Sequence, residues 1–407
     1  MQFLPLVLQR ARGGPVRVLH VSEVTTGGVA AMLSSVVPAQ LRAGHQLTVC
    51  MPDRLDAVPP EVFVPWEVTR SREGLLPSVA QLRRVVEAAR PDVVHLHSFV
   101  AGVLGRLGLR RSTYDAALVY QPHSWNYGAA RNPVSLSGLV AVEAALGPRT
   151  DALVVNCRAE AAEGRRHGVR APAVVTGLPV DLERFAPATP GDRRAVRRRL
   201  APDGRPMAVV VGELSWQKGH DRLVAAWEEA PVPGVDLVLV GGHQPRRLRP
   251  FTEADLALLA PTQWGRTIRA VGQQDDVRPW LLAADVAVLP SRYESGCIAL
   301  GEALACGTPV VTSDFAGASE AVLEGPEEAA GAVVSGAATG DGGASGLLTA
   351  VAAALADPAL RAQQSAAARR RAERVYAPAA VLERLDSAYE LASGIRGRRL
   401  VRSRRPR

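Results

Sequence analysis

Pro290-Ser291-Arg292-Tyr293-Glu294-Ser295-Gly296-Cys297-Ile298-Ala299-Leu300-Gly301-Glu302-Ala303-Leu304-Ala305-Cys306-Gly307-Thr308-Pro309-Val310-Val311 carries the reading of the fold. The apolar run Val286–Leu289 leads into it, so it begins where a strand ends. Ser295-Gly296 opens a helix, and Gly307-Thr308-Pro309 stops it and returns the chain to a strand. Strand, loop, helix and strand in that order make the βαβ unit of a parallel sheet. The first N–H groups of such a helix lack intrahelical partners and form a site for a phosphate or diphosphate. Glu294 precedes the helix and Glu302 lies two turns into it. Carboxylates repel phosphates but accept hydrogen bonds from sugar hydroxyls. A phosphate nest flanked by two carboxylates therefore fits a ligand with both groups, a nucleotide sugar. The plainer alternative is that both glutamates are surface residues of an ordinary βαβ helix.

Outward from this unit the same alternation covers the chain. Val16–Val21, Leu47–Met51, Asp92–Leu96, Ala117–Tyr120 and Ala152–Asn156 read as strands, with helices over Val29 to Arg42 and Leu75–Arg90. Pro187, Pro190, Pro202 and Pro206 punctuate residues 186–206, which read as a linker around an Arg-rich helical segment. A second series follows: strands Met207–Val211, Asp236–Val240, Ile268–Val271, Val286–Leu289 and Val310–Thr312. Gly336–Gly346 reads as a loop. Helices over Leu347–Ala356, Pro358–Val375 and Pro378–Ser393 close the chain. The fold class is α/β, with two doubly wound Rossmann-like domains whose ligand site is the cleft between their strand ends.

The chain has 407 residues, long enough for two such cores. Hydrophobic residues make up 47% and charged residues 22%, a globular balance. Aromatics are only 4%, too few for the stacking platforms of single-stranded nucleic acid, which is not expected as a partner. The formal charge of +8 is local. Seven arginines and no acid lie in Arg396–Arg407, and without them residues 1–395 carry +1. This basic tail reads either as a contact for an anionic membrane surface or as a solvated end. Met1-Gln2-Phe3-Leu4-Pro5-Leu6-Val7-Leu8 is too short for a membrane span and has no basic residues before it. Cys50, Cys157, Cys297 and Cys306 show no metal or redox spacing and read as reduced, buried thiols. The expected location is cytoplasmic, at most peripheral at the inner face of the cell membrane.

Of the 48 basic residues all but one are arginine. Such a bias reflects GC-rich coding. The exception is Lys218, in Val211-Gly212-Glu213-Leu214-Ser215-Trp216-Gln217-Lys218-Gly219. A lysine kept against this bias either marks a need for a compact ammonium or is chance on a surface.

Glu294, Glu302, the flanking Pro290-Ser291-Arg292-Tyr293 and Gly307-Thr308-Pro309-Val310-Val311 resemble the signature of the retaining GT-B glycosyltransferases of family 4. Val211-Gly212-Glu213-Leu214 with Lys218-Gly219, the Gly27-Gly28 turn, Asp181-Leu182-Glu183-Arg184-Phe185 and Ala284-Asp285-Val286 fit the same family in order and spacing. The resemblance implies a GT-B fold with an acceptor-side domain over 1–187. A nucleotide-sugar-binding domain would span 188–377. The helix 378–395 would rejoin the first domain, ahead of the tail 396–407. It implies that Lys218 contacts the donor diphosphate, beside Gly212 and Glu213. Glu302 would hold the ribose hydroxyls and Glu294 those of the donor sugar. The amides of Ser295, Gly296, Cys297 and Ile298 would cradle phosphates and sugar. Gly27 and Gly28 would approach the diphosphate from the other domain, and Gly272 to Gln274, with Gly272 and Gln273 foremost, would hold the base. His123, after a strand in Gln121-Pro122-His123, would stand beside the donor sugar, with Lys218, Glu294 and His123 carrying the catalysis. His97 is a second cleft candidate, for the acceptor.

One departure stands out. The family often has Arg where this chain has Glu213, so the diphosphate would depend more on Lys218 or recruit Arg292. No DxD motif for a nucleotide-bound metal is present, and Lys218 with the helix N-terminus would replace the ion. The implied activity is retaining transfer of a sugar from a UDP- or GDP-sugar to a glycan, lipid-linked or small-molecule acceptor. It would serve exopolysaccharide, cell-wall or glycolipid assembly, with no tightly bound cofactor and no metal. A GT-B sugar-nucleotide epimerase and a catalytically silent sugar-nucleotide-binding subunit are the alternatives. An NAD-type oxidoreductase is disfavoured because no GxGxxG follows the first strand.

Overall fold

A computed structural model describes residues 15–403, except 69–71, 110–112, 131, 245–248, 327 and 339–342. The apolar start Met1 to Leu8 and the last four residues of the basic tail lie outside the described residues.

The first half runs β1 (Arg17–Ser22), α1 (Gly27–Arg42), β2 (Gln46–Met51), β3 (Phe63–Pro65), α2 (Arg72–Ala89), β4 (Val93–His97) and α3 (Ser98–Gly108). It continues with β5 (Ala117–Gln121), α4 (Pro133–Leu146), β6 (Ala152–Val155), α5 (Arg158–Arg166) and β7 (Ala173–Val175). The second half runs α6 (Pro190–Leu200), β8 (Met207–Val211), α7 (His220–Glu229), β9 (Asp236–Val240), α8 (Glu253–Ala257), β10 (Ile268–Ala270) and α9 (Arg278–Ala283). After these come β11 (Val286–Leu289), α10 (Ile298–Ala305), β12 (Val310–Ser313), α11 (Ala318–Val322), β13 (Gly331–Val334), α12 (Gly343–Ala356), α13 (Pro358–Val375) and α14 (Pro378–Ser403).

The strands form two sheets, ordered β3-β2-β1-β4-β5-β6-β7 and β10-β9-β8-β11-β12-β13. Every pairing is parallel. Runs such as Leu237-Val238-Leu239-Val240 are fully buried because helices cover both faces. Strand order reverses between β1 and β4 in one sheet and between β8 and β11 in the other. These switch points open a crevice at the carboxyl ends of their strands. Gly27-Gly28 follows β1, and the stretches around Lys218 and Glu294 follow β8 and β11.

Three strands escape a reading of the sequence, β3, β7 and β13. All are short, and β3 and β7 lack fully buried residues. The segment read as a linker holds α6, which is docked on the second sheet's domain. Arg193 and Arg197 pair with Asp285 at 3.3 and 2.6 Å and donate to the last carbonyls of α9 and to that of Ala284. The closing helix, expected to end at 395, continues to Ser403 and so takes in most of the stretch read as a tail. Leu385, Ala388, Tyr389 and Ala392 of α14 enter the core of the first domain beside Met32 and Val36 of α1.

Two helices of the first domain turn unusual residues toward the core. In α3 the face toward the sheet is glycine: a Cβ on Gly102 would fall 2.3 Å from the Tyr120 ring, and one on Gly105 would fall 2.5 Å from Leu96. In α4 the single charged residue, Glu143, points inward. Its carboxylate accepts from Arg106 Nη2 at 2.8 Å and from the Tyr120 hydroxyl at 2.9 Å, all three side chains being buried. Removing one partner of a buried pair strands the other charge. Glu143→Ala is therefore expected to cost about 3–5 kcal/mol in urea unfolding. A loss below about 1 kcal/mol, the value of an exposed pair, would contradict this account.

Candidate active site

The two switch points face each other across a cleft of about 1120 Å³. Lys218 is placed in it by the loop from Gly212 to Gly219. Gly219 has φ +72°, and a Cβ there would lie 2.0 Å from the Pro290 carbonyl oxygen, so this loop can close on the end of β11 only with glycine. Further contacts tie the two loops together. The Arg292 amide donates to Gln217 O at 2.8 Å, and Gln217 Nε2 donates to Tyr293 O at 3.2 Å.

Lys218 Nζ lies 2.6 Å from Glu294 Oε1 and 3.9 Å from Cys297 Sγ. The Ser291 hydroxyl donates to the same Glu294 oxygen at 3.2 Å. Burial alone would lower the ammonium's pKa, but Cys297, Glu294 and Glu213 together hold it above its ordinary range. Burial pushes the Cys297 thiol up to about 11, so at neutral pH it is uncharged and the two carboxylates act on the lysine. Glu213 thus faces Lys218 as a second counter-charge. Arg292 does not supply the missing cation. It holds Asp221 through two bonds of 2.7 and 2.9 Å, donates to Trp216 O and stacks 4.7 Å over the Trp216 ring. It does not line the cleft.

α10 begins at Ile298, later than Ser295-Gly296 had suggested, and no side chain caps it. Gly296, Cys297 and Ile298 line the cleft, whereas Ser295 does not. The Ser295 hydroxyl instead accepts from Asn156 Nδ2 of the first domain at 3.3 Å. Glu302 lines the cleft, and burial pushes its carboxyl up to about 7, against Arg184 and Lys218, which lower it. Arg184 lines the cleft as well, a cation that the sequence offered only as part of an ordered match. Gln273 lines it with Gln274 and Asp275. Gly272 lies beneath, its carbonyl taking the Gly241 amide at 3.0 Å. Gly27 and Gly28 form the opposite wall, where a Cβ on Gly28 would sit 4.0 Å from Ile298 Cδ1.

His123 also lines the cleft, in a turn where it and Ser124 have φ of +55° and +95°. Glu160 fixes that turn: its carboxylate accepts the Ser124 amide at 2.8 Å and the Asn156 amide at 2.7 Å, and burial pushes it up to about 7. His97 is not a wall residue. It is fully buried and acts behind His123, its Nδ1 lying 2.9 Å from His123 Nε2 and its Nε2 lying 2.9 Å from His20 Nδ1. His20 Nε2 meets Gln40 Oε1 at 2.8 Å, and Gln40 Nε2 donates to the Tyr389 hydroxyl at 3.2 Å. Burial depresses His123 to about 3 and His20 to about 4, so the chain is neutral at pH 7. Gln40 then receives the His20 proton, His20 that of His97, and His97 that of His123. This leaves Nδ1 as the acceptor nitrogen of His123.

Register explains a grouping that the sequence concealed. His20 pairs with His95 across β1 and β4, and His95 and His97 share a strand face. Nitrogens of His20, His95 and His97 lie within 4.8 Å of one another, a possible metal-ligand geometry, but those of His20 and His97 already share a proton.

Two doubly wound domains with facing switch points define the GT-B architecture of glycosyltransferases. The chain belongs to glycosyltransferase family 4: residues 26–184 match Glycosyltransferase Family 4 and residues 192–371 match Glycosyl transferases group 1. A D-inositol 3-phosphate glycosyltransferase of Xylanimonas cellulosilytica is 35% identical over 57% of this chain and 58% of its own length. One of Mycolicibacterium smegmatis is 31% identical over 61% and 57%. The chain thus spans little more than half the length of these curated relatives. Among solved structures, sucrose-phosphate synthase of Thermosynechococcus elongatus superposes with a TM-score of 0.76 at 23% identity, over 92% of this chain and 98% of that one. Anabaena HepE in complex with UDP-glucose gives 0.72 at 20% identity, over 91% and 98%. Among the described residues no single helix is long and apolar enough to cross a membrane.

The Lys218 loop yields a direct test. Gly204 has the same φ of +72° as Gly219 but nothing within 4 Å of its Cβ. Gly204→Ala is expected to cost only the left-handed backbone strain of about 1–2 kcal/mol. Gly219→Ala adds a clash with backbone and should lower stability further, by denaturant unfolding. Equal losses would mean that the contact with Pro290 does not constrain the loop.

Proposed function

We propose that this chain transfers a sugar, with retention at the anomeric carbon, from a nucleotide diphosphate donor to an acceptor hydroxyl. The observation that carries this reading is the single ammonium of Lys218, held 2.6 Å from Glu294 in the cleft ahead of α10, with Glu213 as a further counter-charge. A diphosphate entering there exchanges a carboxylate partner of Lys218 for phosphate oxygens. Glu294, released from the ammonium, is then available to hydroxyls of the donor sugar. Lys218 and the uncapped amides of α10 stabilise the charge that grows on the leaving nucleoside diphosphate. Glu302 accepts the ribose hydroxyls, Gln273 and its turn hold the base, and Gly27-Gly28 brings backbone up to the phosphates.

Same-face attack suits this arrangement, because Glu294, once released from the ammonium, is engaged by hydroxyls of the donor sugar rather than free as a covalent nucleophile. The departing phosphate oxygen takes the proton of the acceptor hydroxyl as the new glycosidic bond forms. His123 positions the donor sugar from the opposite wall. The domains supply orientation and exclude water. HepE's complex with UDP-glucose supports a uridine donor, and the curated relatives' names support transfer over epimerisation or silent binding.

A panel of UDP-, GDP-, ADP- and dTDP-sugars, read by nucleotide release and thermal stabilisation, tests the reading. One nucleotide class is expected to stabilise the protein and to be released. No response to any of the four would refute it.

Glu302 adds a pH dependence. Its carboxyl sits at about 7 in the free protein, and only the ionised form accepts both ribose hydroxyls. Affinity for the nucleotide is therefore full above that value and falls as pH drops through it. Glu302→Gln should flatten this dependence in isothermal titration. An unchanged pH profile in that variant would assign the proton to the nucleotide or another group.

A further inference from the structure

The first domain's wall of the cleft differs in chemistry from the second's. Among the described residues lining the cleft the only lysine or arginine side chains are Lys218 and Arg184, both within reach of Glu302 on α10. The facing wall presents Phe99, Val103 and Leu107 of α3, with Leu75, Val100 and Leu139 behind them packed against the core, and its charged side chain is the acid Glu23, whose carboxylate accepts the Val100 and Ala101 amides. Phe99, Val103 and Leu107 repeat every four residues and so share one face of α3. That stripe starts beside His97, next to His123, and runs eight residues outward, about 12 Å.

Gly102 and Gly105 take inward positions of α3, where Leu104 and Arg106 are also buried, while Phe99, Val103 and Leu107 line the cleft and Leu107 is 50% exposed. Surface helices ordinarily turn their apolar residues inward, and an apolar stripe lining a reaction cleft marks a binding site. The cleft also exceeds the roughly 300–1,000 Å³ of ordinary small-molecule sites, so a nucleotide sugar leaves room beside it.

We infer that the acceptor is amphipathic: a hydroxyl-bearing head placed near His123 and a hydrocarbon chain lying along Phe99, Val103 and Leu107. This rests on the proposed transfer and names its acceptor class. A phosphorylated cyclitol, the acceptor that the names of the curated relatives imply, needs cations that the described part of this wall does not present.

The full chain saturated with UDP, titrated calorimetrically with methyl, butyl and octyl β-glucosides below micelle-forming concentrations, tests the inference. Kd is expected to fall roughly tenfold or more from methyl to octyl. Leu107→Gln, at a half-exposed position that spares the core, should remove most of that gain and leave the methyl glucoside unaffected. Equal Kd across the series, or tighter binding of inositol 3-phosphate than of the octyl glucoside, would overturn the inference. Failure of UDP itself to bind would count against the donor reading, separately, and octyl binding to the UDP-free protein would still report on the apolar wall.

Discussion

The cleft is organised around one ammonium held by carboxylates. Lys218 stands 2.6 Å from Glu294, with Glu213 as a further counter-charge. The pair joins the loops after β8 and β11, the two strands that flank the switch point of the second sheet. Its geometry depends on a backbone contact that only Gly219 allows, and on Arg292, which is spent on Asp221 as a strut. A charge pair this well satisfied is not a passive anion trap. On the proposed function, an incoming diphosphate would compete with carboxylates already in place and free Glu294 for hydroxyls, which would couple anion and sugar recognition through one lysine.

The opposite wall is fixed by other means. His123 sits in a turn with two consecutive left-handed residues, a conformation that needs outside support. Glu160 supplies it by taking the Ser124 amide. Behind the ring, His97, His20, Gln40 and Tyr389 form a hydrogen-bonded chain through the core. Gln40 cannot ionise, so the chain ends in a group that fixes direction rather than accepting a proton. Tyr389 belongs to α14, which crosses back from the second domain. The ring that faces the cleft is thus oriented by a helix from the far end of the chain.

Much of this was legible in the sequence, for reasons that differ by element. The stretch Pro290–Val311 declares strand, loop, helix and strand because glycine and proline punctuate it. The lysine could be singled out because arginine serves everywhere else. Three strands, β3, β7 and β13, escaped because they lack the continuous buried apolar run that marks the similarly short β11 and β12. Arg292 was misjudged because its partner, Asp221, is 71 residues away in sequence. Glu160 and the His20–His95–His97 group depend on register and on contacts between elements, which no local pattern encodes. The apolar wall was hidden for a different reason. Glycines in α3 and an inward glutamate in α4 blur the usual relation between hydrophobicity and burial.

The central claim is that Lys218 is a compact charge matched to a diphosphate. Turnover of Lys218→Ala and Lys218→Arg with the preferred donor tests it most directly. The account predicts a severe loss of kcat/KM in the alanine variant and poor rescue by arginine, whose larger planar fork cannot occupy the same point beside Glu294. Near wild-type turnover in the arginine variant, with folding unchanged, would contradict it.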